Sequence, residues 1–180
     1  VGLASKTGPI GVFLLVGPSG TGKTFLAKEL HKHLYNTSDN MVRIDCGEYQ
    51  QKHDSQKLIG APPSYVGHDD GGQLTNKVMN NPNTVVLIDE VEKAHNDVFD
   101  MFLRVFEDGV LTDSKGREVD FSNTVIIMTT NLGNDKITDH LTGKQAGFGA
   151  RLGGSMATKE ILDYATIERY ANEAIKKYFR

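Results

Sequence analysis

The stretch with the clearest chemical potential is Gly17–Thr24, which reads GPSGTGKT. It matches G-x-x-x-x-G-K-[ST], a pattern whose glycines let consecutive backbone N–H groups turn inward around phosphate oxygens. Lys23 would reach the terminal phosphates with its charge, and the Thr24 hydroxyl would ligate Mg²⁺. The predicted phosphate-binding residues are therefore Gly17, Pro18, Ser19, Gly20, Thr21, Gly22, Lys23 and Thr24.

The flanking sequence separates this interpretation from a chance glycine-rich turn. Gly11–Val16 is an apolar run typical of a buried strand. Phe25–Leu34 is helix-prone, with Leu26, Leu30 and Leu34 on one face. A helix in that position would direct its positive N-terminal end at the bound anion. Strand before and helix after favour a phosphate-binding loop.

Two acidic residues follow another buried run. Thr84–Ile88 (TVVLI) is apolar after its first residue and rich in β-branched side chains, and Asp89 and Glu90 come directly after it. Asp89 would lie at the carboxyl edge of a sheet, where it could hold Mg²⁺ chiefly through water. Glu90 would polarise an attacking water, which favours hydrolysis. The alternative is a pair of solvated carboxylates at a helix start.

Asn131 follows the run Thr124–Thr130 (TVIIMTT), which reads as a further buried strand. Because this strand would end at the same edge, the Asn131 amide could contact both the γ-phosphate and the attacking water. We therefore predict a catalytic, phosphate-sensing role for Asn131. A turn or helix-capping asparagine is the alternative.

The elements that must position these residues alternate between strand and helix. This order implies a parallel sheet covered on both faces in one domain. The region 143–157 is rich in glycine, and we expect a mobile loop there. The remaining predicted elements are a strand at Met41–Asp45, helices at Glu48–Leu58, Gln73–Met79, Asp97–Glu107 and Ile161–Phe179, and a hairpin at Val110–Phe121.

Composition narrows the function classes. The formal net charge of −3 gives no general attraction to nucleic acid, and no run approaches transmembrane length. We therefore expect neither nucleic acid nor a membrane as a partner. The single cysteine, Cys46, is expected to be a small buried hydrophobe. We expect a cytoplasmic location, with an organelle matrix as the alternative. Solvated or capping roles are expected for the histidines, His31, His33, His53, His68, His95 and His140.

Four segments together carry a family resemblance: GPSGTGKT, IGAPPSYVGHDDGGQL, VVLIDEVEKAH and DGVLTDSKGREVDFSNTVIIMTTN. They resemble the second ATPase module of Clp-type AAA+ unfoldases and disaggregases, the group that includes ClpB, ClpC and ClpE. The resemblance is nearly continuous from Gly8 to Gly133 and looser to Arg180. It implies an α/β fold, the P-loop AAA+ large subdomain, with a five-stranded parallel sheet flanked by helices on both faces.

The resemblance also implies a function. The family forms hexameric rings that use ATP hydrolysis to pull protein chains through a central pore. ATP or ADP and Mg²⁺ are therefore the expected cofactors, with unfolded or aggregated proteins as substrates. The intact protein is expected to form a homo-hexamer, with a protease or co-chaperone as a further partner.

Tyr65 and Val66 are the predicted substrate-gripping residues. They match the family's pore-loop motif, in which an aromatic side chain contacts the translocating polypeptide. This chain has Ser64 where the family usually has glycine. Without the family match, Tyr65 would read as a partly packed loop tyrosine.

Two family features are not recognised in the sequence: the arginine that a neighbouring subunit inserts into the site, and the small helical lid. We therefore expect residues 1–180 to be the large subdomain of one module. An arginine supplied by a neighbour can contribute about 10³–10⁵ in rate. The isolated chain is accordingly expected to bind nucleotide weakly, to hydrolyse it very slowly and to be largely monomeric.

Two other function classes are compatible with the sequence. One is an AAA+ protein acting on nucleic acid, such as a helicase or clamp loader, which the acidic balance and the pore-loop match disfavour. The other is a nucleotide-gated binding module that docks partners without useful hydrolysis.

Overall fold

The computed structural model describes residues 8–37, 39–62, 71–134 and 164–178. The chain divides into two compact units, one made of Val1–Leu15 and Gly22–Thr130, the other of Val16–Thr21 and Asn131–Arg180. Tyr65, Val66 and the region 143–157 lie outside the described residues, so the predictions for them stay predictions. Among the helices that are described, none has the length and apolar character needed to cross a membrane.

The predicted alternation of strands and helices is confirmed in the described parts of the chain. Short 3₁₀ turns at Cys46–Glu48, Lys52–Asp54 and Val91–Lys93 connect several elements. In chain order the elements are β1 Gly11–Val16, α1 Lys23–Tyr35, β2 Val42–Asp45, α2 Ser55–Ile59, α3 Gln73–Asn80, β3 Val85–Asp89, α4 Asn96–Asp108, β4 Val110–Thr112, β5 Glu118–Asp120, β6 Val125–Thr130 and α5 Tyr164–Tyr178.

In the described part of the chain, the main sheet has four strands in the order β1-β6-β3-β2. β3 pairs in parallel with both β2 and β6, while β4 and β5 form the predicted antiparallel hairpin. The expectation of five strands is therefore wrong for the described residues. The count of five came from the family resemblance, whereas the apolar runs of the sequence supply only these four strands.

The position of the two central strands, β3 and β6, explains their apolar composition. Every residue of β3 and of β6 is buried, which requires side chains that pack on both faces of the sheet. Helices flank the sheet: α1 contacts β3 and β6, and α3 contacts β2. β1 lies at the edge of the order, and its Val12 and Phe13 are correspondingly exposed.

The face of α1 that meets the sheet differs from the predicted apolar stripe. Ala27 is fully buried against Val85 and Leu87, whereas Leu26 and Leu34 are 55% and 46% exposed. A small side chain at Ala27 lets the helix approach the sheet closely. The packing face is therefore rotated from the leucine stripe, although Leu30 still packs against the core cluster.

His31 on α1 corrects a second expectation, because it is neither solvated nor a cap. Its side chain is buried, the backbone N–H of Val85 donates to Nδ1 at 3.4 Å, and Nε2 lies 2.9 Å from the carbonyl oxygen of Asp39. Nε2 therefore carries the proton and donates to that carbonyl. His95 does cap a helix as expected, since its Nδ1 accepts the backbone N–H of Asp97 at 3.2 Å.

Candidate nucleotide site

The glycine-rich segment lies between β1 and α1, as the motif requires. Gly20 has φ of 80° and Gly22 has φ of 89°, in the left-handed region that residues with a Cβ rarely adopt. No described atom lies within 4 Å of a Cβ placed at Gly22, so conformation rather than space demands glycine there. Within the second unit, the Thr21 hydroxyl donates to the carbonyl oxygen of Pro18 at 2.9 Å.

The first turn of α1 carries the two functional side chains of the motif, Lys23 and Thr24. The helix begins after Gly22, whose carbonyl accepts the Leu26 N–H at 2.8 Å. In the described structure no side chain caps this helix start, and its first turn contains no acidic residue. The partial positive charge of the helix terminus therefore meets no carboxylate from that turn, which suits an incoming anion.

Asp89 lies at the carboxyl end of β3 on the face that α1 covers. Leu87 packs in the α1 cluster, and Asp89 lies two residues further along on the same side of the strand. The same alternation holds in β6, where Ile127 faces Leu87 in register and Thr129 follows two residues later. Register and alternation together therefore place Asp89 and Thr129 side by side, and both are buried.

Three side chains converge on the Asp89 carboxylate. The Thr129 hydroxyl donates to Oδ1 at 2.5 Å, and Arg43 Nη2 donates to Oδ2 at 2.7 Å. The Thr24 hydroxyl lies 3.3 Å from both carboxylate oxygens. The structure thus brings together the two residues that the sequence assigned to a shared Mg²⁺.

Glu90 adopts an uncommon backbone conformation next to this carboxylate. Its φ and ψ of 55° and 52° lie in the left-handed region, which costs a non-glycine residue about 1–2 kcal/mol. Its N–H donates to the Thr129 hydroxyl at 3.0 Å, and its Oε2 accepts from Lys93 Nζ at 2.5 Å. Thr129 therefore links the two acidic residues, because it donates to one and accepts from the other.

Asn131 directly follows β6 and belongs to the second unit. It is half-buried, and its carbonyl accepts the backbone N–H of Asn134 at 3.1 Å, so it begins a turn. This turn is compatible with both the sensor role and the turn role. Gly17–Thr21 also belong to the second unit, and their assignment rests on the motif and on local backbone geometry.

Thr129 and Arg43 were not singled out from the sequence. Thr129 carries one weak signal, a polar side chain among the apolar residues of a buried strand. Arg43 lies on β2 and carries no local signal, because its contact with Asp89 joins residues 46 positions apart. Only the pairing of the strands reveals these contacts.

The donor set fits a small hard cation. Hydroxyl and carboxylate oxygens are ligands that Mg²⁺ accepts, and Thr24 and Asp89 present both within 3.3 Å of one another. No group of three or more His, Cys, Asp or Glu side chains suited to a metal is found in the described part of the chain. A cation at this place would therefore take further ligands from phosphate and water, as Mg²⁺ commonly does.

Comparison with known proteins agrees with this geometry. Residues 8–180 match the family described as AAA domain (Cdc48 subfamily). A Staphylococcus epidermidis protein named ATP-dependent Clp protease ATP-binding subunit ClpC is 49% identical over 99% of this chain. The protein of that name from Staphylococcus aureus strain USA300 is 48% identical, also over 99% of the chain. The chain spans 21% of the length of each relative. This chain belongs to the AAA domain family (Cdc48 subfamily) and is a Clp-type AAA+ module.

Proposed function

We propose that this chain binds and hydrolyses ATP and that the longer protein uses this hydrolysis to unfold, thread or disaggregate protein substrates. One observation carries the ATPase part of the proposal. The hydroxyl of the phosphate-loop residue Thr24 lies 3.3 Å from both carboxylate oxygens of Asp89, at the end of a buried strand. A phosphate loop combined with an adjacent buried acid is the arrangement that a magnesium nucleotide requires.

Phosphate binding falls to the loop and the start of α1. The backbone N–H groups of Gly17–Thr24 would face the phosphate oxygens, and Lys23 would add a positive charge at the terminal phosphates. Thr24 and Asp89 would hold Mg²⁺, the group that neutralises negative charge on the triphosphate when bound. The buried position of Asp89 makes it a fixed ligand rather than a mobile one.

Glu90 is the residue proposed to activate water. Its carboxylate would accept the proton of the attacking water, and the left-handed backbone at Glu90 sets the direction of that side chain. The Lys93 contact at Oε2 joins two partly exposed side chains, so it rearranges at little cost. Asn131 is proposed to orient the same water and to contact the γ-phosphate.

Mechanical work on proteins is proposed from the sequence motif and from the relatives. Tyr65 and Val66 would grip the substrate by apolar contact that needs no particular substrate sequence. The relatives are named as ATP-binding subunits of an ATP-dependent Clp protease, so a peptidase is one proposed partner of the intact protein. A homo-hexamer of the longer protein is the proposed assembly.

Nucleotide binding tests the first half of the proposal. A fluorescent ATP analogue is titrated into the purified chain with Mg²⁺ in excess, with Lys23→Ala as the test variant and Lys28→Ala as the control. Lys28 is an exposed residue on the same helix. Loss of a charge-assisted contact at Lys23 should weaken binding about 10- to 100-fold, whereas Lys28→Ala should stay within about twofold. Equal affinities for the two variants would contradict the phosphate-loop assignment.

ATP turnover and substrate unfolding by the full-length protein test whether ATP is hydrolysed and whether that hydrolysis drives work on proteins. Glu90→Gln should lower ATP hydrolysis about 10²- to 10⁴-fold while nucleotide binding is retained, because only the proton acceptor is lost. Glu107→Gln, an exposed acid at the end of α4, is the matched control and should hydrolyse ATP normally. If the longer protein uses ATP hydrolysis to unfold proteins, the Glu90→Gln variant should also fail to unfold a tagged substrate protein. Retained unfolding would favour a nucleotide-gated binding module instead.

A further inference from the structure

Arg43 connects β2 to the candidate site through the register of the sheet. Its register partner on β3 is Leu87, two residues before Asp89. The long Arg43 side chain covers that distance toward the carboxyl end and donates from Nη2 to Asp89 Oδ2 at 2.7 Å. The same Nη2 lies 3.8 Å from Asp45 Oδ2, so the guanidinium lies between two carboxylates.

The burial of the two partners differs sharply. The Asp89 side chain is 9% exposed, whereas the Arg43 side chain is 47% exposed. A buried carboxylate is costly unless a cation or hydrogen-bond donors compensate its charge. Arg43 supplies such a cation from the solvent side. Its guanidinium contacts Asp89 Oδ2, whereas the Thr129 hydroxyl contacts Asp89 Oδ1.

We propose that Arg43 is a positioning residue that competes with Mg²⁺ for the charge of Asp89. This inference rests on the proposed nucleotide site. A guanidinium in contact with Asp89 Oδ2 holds the carboxylate rotamer and also repels a divalent cation approaching the same group. Binding of Mg²⁺ at Asp89 without nucleotide is therefore disfavoured. The negative charge of the triphosphate is needed to bring Mg²⁺ to Asp89. Arg43 thus couples metal binding to nucleotide binding.

The coupling has opposite consequences for stability and for metal affinity. Arg43→Gln removes the positive charge beside Asp89, so the protein should unfold at a lower temperature in buffer containing a chelator. The same change removes the repulsion of Mg²⁺, so the Mg²⁺ concentration for half-maximal nucleotide binding should fall about 5- to 50-fold. A residue with a merely structural role would lower the unfolding temperature without increasing the affinity for Mg²⁺.

The experiment measures binding of a fluorescent ATP analogue at increasing free Mg²⁺, together with thermal unfolding without Mg²⁺. Arg117→Gln is the matched control, because Arg117 is a similarly exposed arginine that pairs with the buried Asp113 on the β4–β5 hairpin. Arg117→Gln should lower the unfolding temperature and leave the Mg²⁺ dependence within about twofold of the unmodified chain. Arg43→Lys keeps the charge and should also keep the Mg²⁺ dependence within about twofold.

The outcomes separate this inference from the proposed function. An unchanged or weakened Mg²⁺ affinity in Arg43→Gln would overturn the competition. A shift in Arg43→Lys as large as that in Arg43→Gln would also overturn it, because charge would then not be the cause. Failure of the unmodified chain to bind nucleotide at saturating Mg²⁺ would instead refute the proposed nucleotide site itself.

Discussion

Replacing Thr129 by valine gives a sharp test of how the two acidic residues are held. Valine is nearly isosteric with threonine, but it lacks the hydroxyl that donates to Asp89 Oδ1 at 2.5 Å and accepts the Glu90 N–H at 3.0 Å. Both hydrogen bonds are lost together, and Thr129 is 1% exposed, so water does not readily replace them.

The expected loss of stability follows from these two contacts. A hydrogen bond to a charged group contributes about 1.5–3 kcal/mol, and a backbone N–H left without a partner costs about 1–3 kcal/mol. The added methyl group returns about 0.8 kcal/mol of apolar burial. Thr129→Val should therefore lower the free energy of unfolding by about 2–5 kcal/mol, which corresponds to a fall of about 4–20 °C in Tm for a chain of this size.

Urea and thermal unfolding of the purified chain measure this loss. Thr129→Ser is the matched control, because it keeps the hydroxyl and removes one methyl group, at a cost of about 1 kcal/mol. In the full-length protein, Thr129→Val should also slow ATP turnover more than Thr129→Ser, since Glu90 loses the acceptor that holds its left-handed backbone. If the valine variant proves as stable as the serine variant, Thr129 does not hold these acids in the way described.

Two further predictions concern the titratable groups of Asp113 and Cys46. Burial would raise the pKa of Asp113, but hydrogen bonds from the Arg117 amide and guanidinium and from the Lys115 amide lower it below its usual value. Asp113→Asn should thus be less stable than the unmodified chain at pH 7. The gap in stability should narrow as pH falls from about 4, the ordinary pKa of the carboxyl in the unfolded chain, through the lowered pKa of folded Asp113; a gap independent of pH would contradict this. Burial, followed by the charges of Asp45 and other nearby acids, raises the pKa of the Cys46 thiol to about 12. The folded chain should then resist a thiol reagent at pH 8, where only about one thiol in ten thousand is ionised, and react fully once unfolded; rapid reaction of the folded chain would disprove the burial.

The local features of the site could be predicted from the sequence because each depends on neighbouring residues. Gly20 and Gly22 supply the left-handed conformations of the loop, and Gly109 ends α4 with φ of 70° after an apolar helical pattern. The buried strand that ends at Asp89 also follows directly from its uninterrupted apolar composition. In each case the residue type restricts the backbone or its burial without reference to distant parts of the chain.

The packing face of α1 and the strand count were harder to predict. Leucines at helical spacing suggested one face, but Ala27 and His31 are buried instead, because a close approach to β3 needs a small side chain and His31 bonds the Val85 amide. Helical periodicity indicates that a helix is amphipathic, and the neighbouring element decides which face is covered. The fifth strand was an inference from family likeness and had no apolar run of its own in the sequence.

By itself, the sequence determined the phosphate loop, the two acids that follow β3 and the alternation of strands and helices. These depend on residue type and short spacing. Only the tertiary structure decided which side chains hold Asp89, because its contacts with Thr129 and Arg43 join residues 40 and 46 positions apart. The parallel register of β2, β3 and β6 aligns those positions, and backbone pairing across a sheet sets that register rather than any local signal.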